Sequence, residues 1–110
     1  MLQSKMKKLI ILISIIFIQK INAQTWVAIP DGNFASYLQS TMPSAMNGNS
    51  LNITSTLVTS GTQTINCGAL GISNLSGIEY FTSLTYLSCT NNSLTSFPPL
   101  ATTLHYILNR

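Results

Sequence analysis

Charge is what this sequence has least of. Its 110 residues hold two acids and five bases. Four of those bases, Lys5, Lys7, Lys8 and Lys20, lie in or beside one apolar run at the N-terminus. Beyond residue 23 only Asp31, Glu79 and Arg110 are charged, two acids against one base, for a net charge of −1. Nucleic-acid binding needs clustered Lys and Arg to neutralise phosphates, so nucleic acid is excluded as a partner. A polybasic membrane-surface patch is excluded on the same ground. Two cysteines and one histidine, Cys67, Cys89 and His105, are too few for a zinc site of the usual spacing, and no metal or cofactor is expected. Asp31 and Glu79 are the only acids and fall on different expected elements, which argues against paired-carboxylate chemistry. There is no G-x-S-x-G elbow to make one of the many serines a nucleophile. His105 has no second histidine and only distant acids, and reads as a surface residue. The expectation is that the chain is not an enzyme.

Long hydrophobic runs are also missing, with one exception. Residues 9–18 are apolar apart from Ser14. That length falls short of the roughly 20 residues of a membrane span. Lysines precede the run and Ile21-Asn22-Ala23 follows it, the three-part pattern of a secretory signal peptide with cleavage after Ala23. The mature chain would then begin at Gln24, with no stable membrane span, in a secreted or cell-surface location. Cys67 and Cys89 would enter a compartment that permits disulfides.

Three segments are expected: 1–23 the signal peptide, 24–61 an N-terminal cap region, and 62–110 a repeat region. In the second, Phe34, Tyr37, Leu38 and Met42 follow helical spacing. Asp31 is a plausible N-cap and Pro43 a stop. Asn47-Gly48 signals a turn, and the Ser/Thr-rich stretch after it favours extended or turn structure.

In the third segment a shift of 22 residues lays Ile65 on Leu87, Cys67 on Cys89, Ile72 on Leu94, Leu75 on Phe97 and Ile78 on Leu100. A further shift of 20 lays Leu84 on Leu104 and Leu87 on Ile107. This period falls in the leucine-rich-repeat range. Leu84-x-x-Leu87-x-Cys89-x-x-Asn92-x-Leu94 fits the repeat, with Cys89 in a leucine position. Leu87 and Cys89, two apart, would point into the core from a strand. Asn92 would end the strand and bond backbone groups left unpaired by the turn. Leu94 and Phe97 would fill the interior from the returning segment. Two departures stand out. Leu70 occupies the place where Asn92 predicts asparagine. In the third repeat Asn109 falls where an inward apolar residue belongs, and Leu108 falls on the outward side.

With these motifs the chain resembles the secreted bacterial leucine-rich-repeat proteins often called internalin-like. Ile29-Pro30-Asp31-Gly32-Asn33-Phe34 with Tyr37-Leu38 resembles their cap helix, Leu75-Ser76-Gly77-Ile78 and the repeat from Leu84 resemble their first repeats, and Phe97-Pro98-Pro99-Leu100 resembles their proline-bearing convex segment. The fold so implied is α/β: a right-handed leucine-rich-repeat solenoid with short parallel strands on its concave face and an N-terminal capping helix. The function implied is a noncatalytic extracellular module for binding or adhesion to a protein or glycan. Alternatives are a truncated fragment of a larger secreted repeat protein, or the noncatalytic N-terminal part of a secreted enzyme. Two repeats and a fraction should be marginal alone, since about three are needed for stability.

The residues of the expected concave face alternate with those of the core. The ligand-binding candidates are Asn66, Tyr86, Ser88, Thr90 and Tyr106, with Tyr86 and Tyr106 as neighbours across the sheet. The structural candidates are Cys67, Leu87, Cys89, Asn92 and Leu94. Adjacent parallel strands would bring Cys67 and Cys89 within disulfide reach. The plainer reading, and the favoured one, is a ladder of small buried apolar side chains.

Overall fold

The computed structural model describes residues 23–109. The expected signal segment therefore lies outside the described residues, apart from Ala23. Strand β1 (Trp26–Ala28) leads into helix α1 (Gly32–Thr41). The carboxylate of Asp31 accepts from the amides of Asn33 and Phe34 at 2.9 and 3.0 Å and so caps the first turn. Phe34, Ala35 and Leu38 form the buried stripe of the helix, each large member worth roughly 1.5–3 kcal/mol. Pro43 has no N–H to continue the ladder, and the chain turns through a short 3-10 segment, Pro43–Ala45.

Strands β2 (Met46–Asn47) and β3 (Ser50–Asn52) form a hairpin with β3 in the centre of an antiparallel sheet ordered β1-β3-β2. The hairpin loop is Gly48-Asn49, and Gly48 takes φ 57°, the positive value its first loop position needs. After a π-turn at Leu57–Gly61, which buries Val58, come three more strands: β4 (Thr64–Asn66), β5 (Tyr86–Ser88) and β6 (Tyr106–Leu108). They pair in parallel in the order β4-β5-β6. The register matches Ile65 with Leu87 and Leu87 with Ile107.

The expected leucine-rich-repeat right-handed solenoid with a capping helix is overturned by this architecture. The described residues form a small α/β unit of two three-stranded sheets, one antiparallel and one parallel, beside a single α-helix and short turns. A solenoid is built from coils that pack only on like coils. Here Ile65, Ile72, Leu75 and Leu87 share one core with Phe34 and Leu38 of α1, Leu51 of β3 and Val58 of the π-turn. The stretch that would be the third coil encloses no core of its own. Tyr106, Ile107 and Leu108 are all exposed, and so is Phe97, which was expected inside. Leu94, Leu100 and Leu104 are only partly buried. The sequence period encodes the pairing register of three short strands, and the burial that would turn register into stacked coils fades after β5.

Candidate binding face

The parallel sheet turns alternate side chains inward. Ile65 and Cys67 from β4 and its continuation, and Leu87 and Cys89 from β5, are fully buried. Both thiols are free. Cys67 Sγ donates to the Ser88 carbonyl at 3.6 Å and Cys89 Sγ to that of Leu108 at 3.4 Å. Burial, with a smaller contribution from Cys89, pushes the Cys67 thiol up to about 11, and burial raises Cys89 as well. Both are protonated packing groups that bridge neighbouring strands.

The opposite set of side chains makes three rows. Thr64, Tyr86 and Tyr106 are matched in register, as are Asn66, Ser88 and Leu108. Gly68 and Thr90 make the third row, held by the Ala69 amide donating to the Thr90 carbonyl at 2.8 Å. The Tyr86 and Tyr106 ring centroids lie 6.4 Å apart at an interplanar angle of 44°. Tyr106 is 66 % exposed and Tyr86 is half-buried. Asn66 is exposed and Thr90 half-buried. Ser88 is only 6 % exposed, so it forms the floor between its neighbours and offers little to a partner. A Cβ at Gly68 would stand 2.9 Å from Thr90 Oγ1 and 3.2 Å from the Thr90 carbonyl. Glycine there lets the Thr90 strand end lie close.

The two edges of this sheet differ. The Asn66 amide donates to the Tyr37 hydroxyl at 3.3 Å, so a side chain of α1 occupies one amide on the outer edge of β4. Burial pushes the Tyr37 phenol above its ordinary value, against the lowering effect of the Asn66 amide. Among the described residues no element lies beyond β6.

Asn92 uses its whole amide. Nδ2 donates to the carbonyls of Cys67 and Cys89 at 2.8 and 3.2 Å, and Oδ1 accepts from Leu70 and Ile72, both at 3.0 Å. It stitches the turn after β5 to the turn after β4. Leu70, one period earlier, has no such amide and turns its side chain outward, 42 % exposed. The helix N-terminus takes over there. Asp31 Oδ2 accepts from the Ser73 amide at 2.9 Å, the Ser73 hydroxyl and the Asn74 amide, while Asn33 Nδ2 donates to the Gly71 carbonyl at 3.1 Å. The long-range roles of Asp31, Asn33 and Tyr37 carry no signal in the sequence, because their partners lie 29 to 43 residues away.

Both acids are engaged in structural hydrogen bonds, Asp31 across the fold and Glu79 locally, where its Oε2 accepts from the Gly77 amide at 2.8 Å. His105 is exposed, and its backbone amide donates to the Thr85 carbonyl at 2.9 Å. Among the described residues no three His, Cys, Asp or Glu side chains cluster as metal ligands would. No helix among them is long and apolar enough to cross a membrane. The face is thus an uncharged platform: two aromatic rings, an exposed amide and threonine hydroxyls. Such a surface can stack on apolar groups and exchange neutral hydrogen bonds.

The fold and face define a small two-sheet α/β unit bearing an uncharged, tyrosine-containing platform. No family model, no curated protein and no solved structure matches the chain.

Proposed function

We propose that this chain is an exported, noncatalytic binding module that takes an extracellular protein or glycan on the tyrosine-bearing face of its parallel sheet. The observation that carries the reading is the Tyr86–Tyr106 pair, matched in register on adjacent strands with rings 6.4 Å apart. Tyrosine supplies a large, rigid contact area with a polar tip, which is why it recurs at binding hot spots. The scarcity of charge beyond residue 23 supports a neutral partner surface over nucleic acid. The basic start and short apolar run before Ala23 support export.

The test is to probe arrays of glycans and of extracellular proteins with the exported chain and with its Tyr86→Ala and Tyr106→Ala variants. The proposal expects capture by the parent chain and a drop of about tenfold or more in each variant, the effect of losing an interface anchor. Thermal unfolding should stay close to that of the parent, because Tyr106 is exposed and Tyr86 only half-buried. Capture that survives both substitutions would remove this face as the site, and the absence of any capture would overturn the binding role.

A further inference from the structure

Each strand of the parallel sheet spends the same backbone groups on the next. The Gln63 carbonyl accepts from the amides of Thr85 and Tyr86, and the Thr85 carbonyl from those of His105 and Tyr106. In return the Cys67 amide donates to the Ser88 carbonyl and the Cys89 amide to that of Leu108. One period on, the matching groups of β6 are the His105 carbonyl and the Asn109 amide. Successive residues of a strand turn their N–H and C=O groups to opposite sides. Tyr106 and Leu108 turn theirs toward β5, so those of Ile107 point away from it. Among the described residues no strand lies beyond β6 to take these groups. The side chains are uncovered as well. Ile107 is in register with buried Leu87 yet 47 % exposed, and Leu108, an apolar residue in the outward row, is 38 % exposed. Residues 101–109 hold no Lys, Asp, Glu or Pro, the residues that ordinarily keep an edge strand from pairing.

We propose that β6 pairs antiparallel with β6 of a second copy of this chain, about a two-fold axis at Ile107, so that the two parallel sheets join edge to edge. The edge is self-complementary. Ile107 exchanges backbone hydrogen bonds in both directions with the partner's Ile107, and the Asn109 amide of each copy donates to the partner's His105 carbonyl. Directly opposite residues share a face. Ile107 therefore meets the partner's Ile107 on the core side, and Tyr106 covers the partner's Leu108 on the other. Leu108, out of place on a polar face, gains an apolar neighbour.

Two other arrangements fit less well. Adding β6 to the far edge of the next copy would build an open chain of molecules, whereas a two-fold pair closes on itself. That far edge is also engaged, since the Asn66 amide on it donates to the Tyr37 hydroxyl. A further parallel strand would extend the row of Cys67 and Cys89, which is fully buried, and would bury Asn109 at its end. In the two-fold pair Asn109 falls opposite the partner's His105, a polar neighbour.

Sedimentation equilibrium of the exported chain tests the pair. The expected result is a reversible monomer–dimer equilibrium with no larger species. Ile107→Asp should weaken it by about a hundredfold, since both copies lose the apolar contact. Circular dichroism of that variant should keep the parent's spectrum, because Ile107 is already half in water. Cross-linking reads the register. An antiparallel hydrogen-bonded pair sets its Cα atoms about 5.5 Å apart, inside the range that a disulfide spans. Ile107→Cys should thus give a covalent dimer on mild oxidation, and Thr64→Cys, exposed on the far edge, should not. The two natural thiols are buried and should stay out of the product. Exchange of the Ile107 amide should slow as the concentration rises, and at dilution, where the copies part, β6 is again the loose strand. A monomer at every concentration would overturn the second copy and leave the edge to a different strand. Species that grow beyond the dimer, or equal cross-linking at both positions, would overturn the two-fold.

Discussion

Asn92 holds four backbone groups together through one side chain. Its four hydrogen bonds serve two donors and two acceptors in different turns, and it is itself partly buried. Alanine would leave all four without their partner. At a net ~0.5–1.5 kcal/mol for each bond, Asn92→Ala should cost about 2–6 kcal/mol, a large share of the ~5–15 kcal/mol that holds a small domain folded. Urea unfolding followed by circular dichroism would show this as a lower midpoint, and a loss below 1 kcal/mol would mean that water replaces the amide. The residue just before Asn92 offers the opposite experiment. Asn91 and Ala69 stand one 22-residue period apart, and both take φ 57°. Asparagine tolerates that left-handed geometry, whereas alanine is strained in it by ~1–2 kcal/mol. Ala69 is exposed, so a longer polar side chain has room. Ala69→Asn should therefore stabilise the protein by about 0.5–1 kcal/mol and raise its melting temperature.

At the scale of elements, the helix is tied to the loop after β4 through one carboxylate. Burial alone would raise the Asp31 carboxyl, but the hydrogen bonds from Ser73, Phe34 and Asn74 outweigh it and hold the group below its ordinary 3.8. A carboxyl lowered on folding adds stability above its unfolded value and loses it as pH falls through the lower folded value. Asp31→Asn should thus lower the urea midpoint at pH 7. The gap to the parent should narrow as the pH drops below about 3.8. A gap that is constant with pH would show that the contact does not depend on the carboxylate charge. This element was half legible in sequence. The spacing of Phe34, Tyr37 and Leu38, the cap at Asp31 and the stop at Pro43 all announce α1 by local rules. The antiparallel sheet was not legible, because strands of two or three residues in a Ser- and Asn-rich stretch are too short to show alternation. The period that aligns Ile65 with Leu87 was legible and appears as strand register. The step from register to stacked coils failed, since the core residues of the parallel sheet pack on α1 and β3 as well as on one another. For the face, alternation along β5 was enough to bring Tyr86 and Tyr106 together on paper. It could not foresee that Ser88 would be buried between its neighbours, because that depends on how closely the rows pack.

Among the described residues, burial falls off toward β6. The helix, the antiparallel sheet and the first two parallel strands enclose the core. The outermost strand β6 contributes Tyr106, Ile107 and Leu108, which are 66, 47 and 38 % exposed. Local opening is easiest where few apolar contacts are lost. Hydrogen exchange should resolve this gradient with matched probes. The Cys67 amide donates to the Ser88 carbonyl at 2.9 Å and the His105 amide to the Thr85 carbonyl at 2.9 Å. The two bonds have the same length, so bond geometry does not separate them. Breaking the first requires parting β4 from β5 and exposing Ile65 and Leu87, which are fully buried. Breaking the second requires only lifting the segment that leads into β6, whose Ile107 is already half in water. Exposing two large side chains at ~1.5–3 kcal/mol each separates the openings by several kcal/mol, which is more than a hundredfold in protection. The amide of His105 should therefore exchange at least a hundred times faster than that of Cys67, relative to their unfolded rates. Equal protection would mean that β6 opens only when the whole core does. The Tyr106 ring would then belong to a rigid platform. With the gradient, β6 is the adjustable side of the face and β5 its fixed side, so a partner that grips both tyrosines should slow exchange at His105 far more than at Cys67.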